Sequence, residues 1–380
     1  MTGRALVGRA DARRLPLADG AIDLFLTSPP YYGHRDYSGQ LGQPWTAQIG
    51  HEPTAAAYLE SLWECTAEMA RCLAPGGSMF VNLGDKRIVD NRGSAPDSKR
   101  PGKYGPAGQR GFVGREMGRE GSKLMLPQRY AIGCMDRLGL IVRSEIIWSK
   151  PWALSDNAQD RVQDTHEHLF HLTRDRRYYH DLDAIRVPHA MNGHDKRRRN
   201  RLDRRLDAAG GGQTTAGNGK GKIPGSVWEV RTVPLNVPPY TALGPHRMDW
   251  LAEDGAWSWC RGTGTWSSRL PRDDTRCELR ATAPHHAAFP ADLIRPVILA
   301  FSPPGGKVAD SFGGTGTVAL VAATHGRDGI SFDASRDYGW LARWRTTDPR
   351  ERARVRGLPL PARTNGPFDL TLFDLMEEAR

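Results

Sequence analysis

Ile22-Asp23-Leu24-Phe25-Leu26-Thr27-Ser28-Pro29-Pro30-Tyr31 is the stretch whose reading decides the fold. Its apolar run, Ile22 to Leu26, has the length of a short buried strand, and it stops at two prolines that stiffen the backbone and remove its donors. Tyr32, Gly33, His34, Arg35, Asp36 and Tyr37 follow, a polar and aromatic set unlike a plain turn. In an open α/β sheet, chemistry gathers outside the carboxyl ends of strands. A rigid corner at such an end can aim carbonyl oxygens and one aromatic face at a flat, amino-bearing substrate. The plainer alternative is a strand that runs into a Pro-terminated loop.

Around this corner the chain alternates strands and helices. Ala5 to Val7 reads as a strand followed by a tight turn at Gly8 to Ala12. Tyr58, Leu59, Leu62, Trp63, Met69 and Leu73 are spaced for a helix over 54–73, and Pro75-Gly76-Gly77 reads as its stop. Met79 to Leu83 is a third strand, with Gly84-Asp85 at its carboxyl end. Residues 86–123, rich in Gly, Arg, Pro and Ser, read as a long mobile loop. A helix near Pro127 to Leu138 and strands at Leu140 to Trp148 and His168 to Thr173 come next. The basic run from Lys196 through Arg197, Arg198, Arg199, Arg201, Arg204 and Arg205 leads into a Gly-rich tract that cannot bury a core. Trp250, Trp257, Trp259 and Trp266 mark an irregular region over 238–284. The order then resumes with a helix over Phe289 to Phe301, opened by Pro290, and a strand at Lys307 to Ala309.

The composition bounds the class. With 380 residues and 39% hydrophobic content, the chain has room for one large domain with an appendage or for two domains. Its net charge of +10 is compatible with a polyanionic partner without demanding one. No run approaches the roughly 18 apolar residues of a membrane span and no signal-peptide pattern opens the chain, so a soluble cytoplasmic protein is expected. Five scattered cysteines argue against a disulfide framework and fit no zinc spacing. His166, Glu167, His168 and His171 lack the HExxH spacing, and no metal is expected there. Trp148 and Trp152 flank Lys150 and suit core or pocket-wall packing better than base contact.

The second chemistry-bearing stretch is Lys307 to Asp333: strand, Gly-rich turn, helix, strand, acid. Gly314-x-Gly316-x-x-Ala319 fits a nucleotide-cofactor turn, and Asp333 stands where an acid accepts from ribose hydroxyls. Asp310, just before the glycines, would repel a pyrophosphate and no Walker lysine is present. An acid there suits a ligand with positive charge, such as the ammonium and sulfonium of S-adenosylmethionine. Asp11, in Ala10-Asp11-Ala12 after the first strand, is placed to accept from the adenine amino group of that cofactor, or is a turn carboxylate.

Residues 5–37 and 285–338 resemble the two halves of the DNA amino-methyltransferases of bacterial restriction–modification and related systems. More narrowly, they resemble the permuted group in which the Ser-Pro-Pro-Tyr motif precedes the Gly-rich motif. The likeness continues through Leu73 to Gly77, Gly84-Asp85, Glu145 to Pro151, His166 to Tyr179, Ser226-Val227-Trp228 and His286 to Pro290. It implies an α/β fold: a circularly permuted S-adenosylmethionine-dependent methyltransferase domain, doubly wound, with a mostly parallel seven-stranded sheet and inserted DNA-recognition segments. The corresponding division is 1–185 for the N-terminal part, 186–284 for a basic, Trp-rich recognition insert, 285–340 for the cofactor part and 341–380 for a tail. The implied catalytic residues are Ser28, Pro29, Pro30 and Tyr31, on a base flipped out of the duplex. The implied cofactor residues are Asp11, Ala12, Thr27, Phe289, Asp310, Phe312, Gly314, Gly316, Thr317 and Asp333. The arginines from Arg197 to Arg205 are assigned to DNA phosphates.

Three positions depart from the family pattern: Ser311 where Pro is usual, Thr315 where Ser is usual, and Ser331 where Gly is usual. None removes a charged or catalytic group. Ser28, rather than Asp, favours cytosine N4 over adenine N6 as the target. Double-stranded DNA is the implied partner, with a cognate restriction endonuclease or defence-system protein as a further one. A non-catalytic DNA-binding subunit and a protein glutamine methyltransferase are the other readings; the unbroken corner speaks against the first, the basic inserts and Ser28 against the second.

Overall fold

A computed structural model of the chain describes residues 3–33, 48–90, 112–113, 115–151, 159–188, 220–232, 258–260, 265–267 and 289–361. In chain order its elements are β1 (Ala5–Arg9), β2 (Ile22–Thr27), α1 (Ala55–Cys72), β3 (Leu73–Leu83), β4 (Val89–Asp90) and β5 (Phe112–Val113). Then come α2 (Leu126–Asp136), β6 (Ile141–Ser149), β7 (His166–Thr173), β8 (Val227–Glu229), β9 (Ser258–Cys260) and β10 (Thr265–Ser267). The last group is α3 (Ala291–Phe301), β11 (Lys307–Asp310), α4 (Thr317–Thr324), β12 (Asp328–Asp333), α5 (Arg336–Thr347) and α6 (Pro349–Val355).

Eight strands form the central sheet in the order β1-β12-β11-β2-β3-β7-β6-β8. All neighbours run parallel except β7, which is antiparallel to both β3 and β6. One strand more is present than the seven expected: the three-residue β8, which lies inside the span read as an insert, pairs with β6 at the sheet edge. Trp148 fastens it, its indole N–H donating to the Val230 carbonyl at 2.8 Å. The packing role read for Trp148 therefore holds; Trp152 lies outside the described residues.

Helices cover both faces, which is why Leu24 to Leu26 on β2 and Met79 to Val81 on β3 are consecutive apolar residues. Ile22 and Phe25 on β2, with Met79 and Val81 on β3, meet α1 and α2. Leu24, Leu26 and Phe80 point the other way, toward α3 and α4. Thr54 caps α1 by accepting from the Ala57 amide, and Tyr58, Leu59, Leu62, Thr66 and Met69 form its buried stripe.

Three expectations are corrected. Pro75-Gly76-Gly77 is no gap between helix and strand, because β3 already begins at Leu73. Ile22 pairs with Leu73 and Leu24 with Ser78, so a bulge absorbs the three residues where a proline cannot join the ladder. The described ends of 86–123 are not a loose loop: Arg87 bridges Lys123, and β4 pairs with β5. The span 341–380 does not begin as a tail, since Trp344 and Val355 are buried on α5 and α6.

Candidate active site

Four parallel strands, β1, β12, β11 and β2, present their carboxyl ends side by side, and Asp11, Asp333 and Asp310 are delivered there. At the end of β2, the buried Thr27 donates its hydroxyl to Asp310 Oδ1 at 2.5 Å, joining residues from opposite ends of the chain. The Phe312 amide donates to the same oxygen at 3.0 Å. At the end of β12, Asp333 accepts from the Gly314 amide at 2.9 Å and from the Ser335 amide at 2.7 Å. The Gly-rich turn is thus held open from both sides by carboxylates.

Those carboxylates are unusual acids. Burial, together with the nearby Asp333, pushes Asp310 up to about 7, against the hydrogen bonds from Thr27 and Phe312. Burial likewise raises Asp333 to about 6. Among the described residues neither forms an ion pair with Lys or Arg. Gly316 opens α4 at φ +74, and a Cβ there would stand 2.7 Å from the Ala342 methyl. Both the left-handed backbone and the close approach of α5 therefore require glycine.

The Pro-Pro corner is pinned from below. The Tyr58 hydroxyl donates to the Pro30 carbonyl at 2.9 Å. The Ser28 hydroxyl points to the Tyr31 oxygen at 3.4 Å, and Tyr31 donates to Glu167 Oε2 at 2.6 Å. Asn82 on β3 donates to both, at 2.7 Å to Tyr31 and 2.6 Å to Glu167. Glu167 is ion-paired through its other oxygen with Lys150, whose ammonium lies 4.5 Å from the centre of the Trp148 ring. Burial and the Glu167 charge hold the Tyr31 phenol well above its ordinary range, so it stays a donor. Gly84 makes room for its ring: a Cβ there would fall 2.8 Å from Tyr31 Cε2. Beyond the corner, Lys86 donates to the Gly33 carbonyl at 2.7 Å, and burial lowers its ammonium to about 8.

The residues read from the sequence are largely brought together. Thr27, Ser28, Asp310, Phe312, Gly314, Gly316, Thr317 and Asp333 share this sheet edge. Asp11 also arrives, just past β1 and beside Asp333, but as a turn carboxylate. It accepts from Arg13 through Nη2 at 2.7 Å and Nε at 3.0 Å, and from the Arg13 amide at 2.9 Å. Ala12 packs into the core, and Phe289 is buried at the head of α3. Asp85 caps α2 through the Leu126 amide at 3.1 Å. Arg197, Arg198, Arg199, Arg201, Arg204 and Arg205 lie outside the described residues. Among the described residues no cluster of three metal-binding side chains occurs.

Sequence reasoning missed Glu167, Asn82 and Lys150. The signal was present in part: strand alternation turns Glu167 to the face opposite His166 and His168. His168, on that other face, pairs with Glu145 at 2.5 Å.

The strand order, with β7 reversed between β3 and β6, and the Gly-rich turn between central strands define an α/β methyltransferase fold. The solved structure of the PvuII DNA methyltransferase (cytosine-N4-specific) has this fold, with a TM-score of 0.53, 16% identity and 94% of each chain covered. The chain belongs to the DNA methylase family, whose sequence profile matches residues 22–342, and it is a DNA amino-methyltransferase. The type II methyltransferase M.Cfr9I of Citrobacter freundii is 29% identical over 331 residues, covering 86% of this chain and 81% of its own. M.XycI of Xanthomonas campestris pv. cyanopsidis is 29% identical over 334 residues, covering 87% and 82%.

Proposed function

We propose that this protein transfers a methyl group from S-adenosylmethionine to the exocyclic amino nitrogen of a base flipped out of DNA, with cytosine N4 the favoured target and adenine N6 the alternative. The observation that carries this reading is the Thr27–Asp310 hydrogen bond, which sets the Ser-Pro-Pro-Tyr corner directly against a buried carboxylate. The donor set fits the cofactor. The buried Asp310 and the half-buried Asp333, neither ion-paired with a Lys or Arg among the described residues, suit a ligand bearing an ammonium and a sulfonium, and Asp333 suits its ribose hydroxyls. The cofactor, when bound, supplies an electrophilic methyl on a positively charged sulfur.

The chain's own groups do the rest. An exocyclic amino nitrogen is a poor nucleophile because its lone pair is spread into the ring. Ser28 spends its own hydrogen on Tyr31, so its oxygen presents lone pairs to an amino hydrogen. A carbonyl of the Ser28-Pro29 segment accepts the second hydrogen, and electron density concentrates on nitrogen. Tyr31 stacks on the base while Glu167 and Asn82 fix the orientation of its ring. Pro29 and Pro30 keep the corner from yielding, so most of the rate gain comes from placement. No cysteine stands beside the corner, in keeping with direct attack rather than a covalent base adduct.

DNA contacts are assigned to residues 86–123 and 186–284, with Arg197, Arg198, Arg199, Arg201, Arg204 and Arg205 on phosphates. Neutralising that cluster is expected to weaken binding to all sequences and flatten its salt dependence; unchanged affinity at low salt would make the run a linker. A cognate restriction endonuclease is the partner that the relatives' type II naming suggests.

The decisive experiment is mass analysis of nucleosides from plasmid DNA incubated with the protein and S-adenosylmethionine. N4-methylcytosine is expected, and it should vanish in Ser28→Ala. N6-methyladenine alone would overturn the base assignment. Cofactor binding without methylation of any DNA would favour a non-catalytic DNA-binding role.

A further inference from the structure

The family match ends at residue 342, yet the residues just beyond it reach back into the cofactor turn. Arg345 on α5 and Glu351 on α6 are both buried, at 5% and 3% exposure, and pair through Nε and Oε2 at 3.1 Å. The guanidinium's other edge faces the glycine turn. Its Nη1 donates to the Thr315 carbonyl at 2.9 Å, to Thr315 Oγ1 at 2.8 Å and to Thr317 Oγ1 at 2.8 Å. Glu351 is itself held from a second side by Arg354, and Asp348 caps the Glu351 amide at 2.8 Å.

Burying a guanidinium beside a turn is expensive, and apolar residues of similar volume would close this end of the domain at least as well. The arrangement makes sense for what the fork grips. Gly314 and Gly316 both sit at positive φ, +47 and +74, so the turn has little stiffness of its own. A planar donor fixed along one edge by a carboxylate holds the residue between those glycines by carbonyl and hydroxyl together.

We infer that Arg345, oriented by Glu351, is a positioning residue that keeps the Gly314–Thr317 turn in its ligand-binding shape, so that cofactor affinity depends on a segment outside the family match. This rests on the reading of that turn as the S-adenosylmethionine site. Arg345 touches neither substrate nor reacting atoms; it acts through Thr315 and Thr317.

The test uses the full-length protein and three variants. Arg345→Met/Glu351→Leu replaces the pair by apolar side chains and should keep the fold, judged by Tm. Thr315→Val removes one hydroxyl contact and leaves the charges, and Thr315→Ser restores that contact. In the double variant the calorimetric Kd for S-adenosylmethionine is expected to rise at least about tenfold. KM for the cofactor should rise in step, with kcat at saturating cofactor and DNA affinity within about twofold of wild type. Amide exchange at residues 314–317 in the ligand-free protein should accelerate by a similar factor. Thr315→Val should move in the same direction by less, and Thr315→Ser should bind as wild type does. Cofactor affinity within twofold of wild type in the double variant would overturn the inference. So would a variant that lost Tm, DNA binding and cofactor binding in parallel, since the pair would then be structural only. A wild-type protein that bound no S-adenosylmethionine would sink the cofactor reading of the turn itself.

Discussion

Glu167 contributes nothing to the site as a sequence position and a great deal as a neighbour. Its carboxylate takes the Tyr31 hydrogen bond and the Lys150 charge at once, which leaves the Ser28 hydroxyl oriented toward Tyr31. Glu167→Gln keeps the shape but removes the charge that orders this line. Its single-turnover methylation rate is expected to fall roughly 10- to 100-fold while cofactor affinity holds. Stopped-time assays with excess enzyme measure this, and a wild-type rate would make Glu167 a strand residue only. Asp310 gives a second test, with a sign that can be worked out. Its folded value is raised to about 7 from an ordinary 3.8. Between those values the folded protein holds a proton that the unfolded chain has lost, so stability is highest below about 4, falls as pH rises, and levels off above about 7. The shift sets the ceiling on that loss at roughly 4 kcal/mol. His171 works in the opposite sense: burial lowers it to about 3, so its contribution is lost as pH falls below 6.5. The difference between wild type and Asp310→Asn therefore isolates the carboxylate, and the variant's Tm should decline less from about pH 5 to pH 7. Added cofactor, which prefers ionised Asp310, should stabilise wild type more at pH 8 than at pH 6; equal stabilisation would contradict that role.

At the scale of elements, what the sequence made legible was whatever carried its own period or punctuation. β2 and its proline corner, the α1 stripe, and the β11–turn–α4–β12 unit were readable because each states its geometry within about 30 residues. The elements missed are those whose form is set by a partner. The start of β3 runs through Pro75-Gly76-Gly77 only because β2 tolerates a bulge there. β4 and β5 are two residues each and have no period to detect. Most of α5 and all of α6 fall within the span read as a tail, whereas Arg345 is buried. Of the site, the groups in the motifs were foreseeable and the groups that orient them were not, because orientation is a property of packing. The α4 start offers a measurable case. Gly316→Ala places a methyl in left-handed backbone and against Ala342, and should destabilise the fold by about 2–3 kcal/mol in urea titrations. Adding Ala342→Gly should recover the steric part alone; full recovery would show that the backbone conformation is not the constraint.

At the scale of the whole molecule, the sheet interleaves the two ends of the chain. β1 is an edge strand whose sheet neighbour is β12, and β2 lies between β3 and β11. Residues 4 and 328 are joined across the sequence by an Arg4–Asp328 pair at 2.7 Å, as Thr27 and Asp310 are by their hydrogen bond. A fragment ending at residue 290 would leave β1 without a neighbour and Leu24, Leu26 and Phe80 uncovered on one face. It is expected to lack a cooperative unfolding transition and to bind hydrophobic dyes, as judged by circular dichroism and fluorescence. A sharp, two-state melt of that fragment would show that the N-terminal part is an independent domain.

This interleaving also has a meaning in time. A ribosome delivers the corner that would grip the base early and the strands that complete the pocket late. A message cut short, or a ribosome that stalls, therefore releases chains that carry the residues of the corner without the strands that complete the fold around it. On the proposed reading, the capacity to mark DNA arrives only once β11 and β12 have been made, in one step, rather than accumulating along the chain.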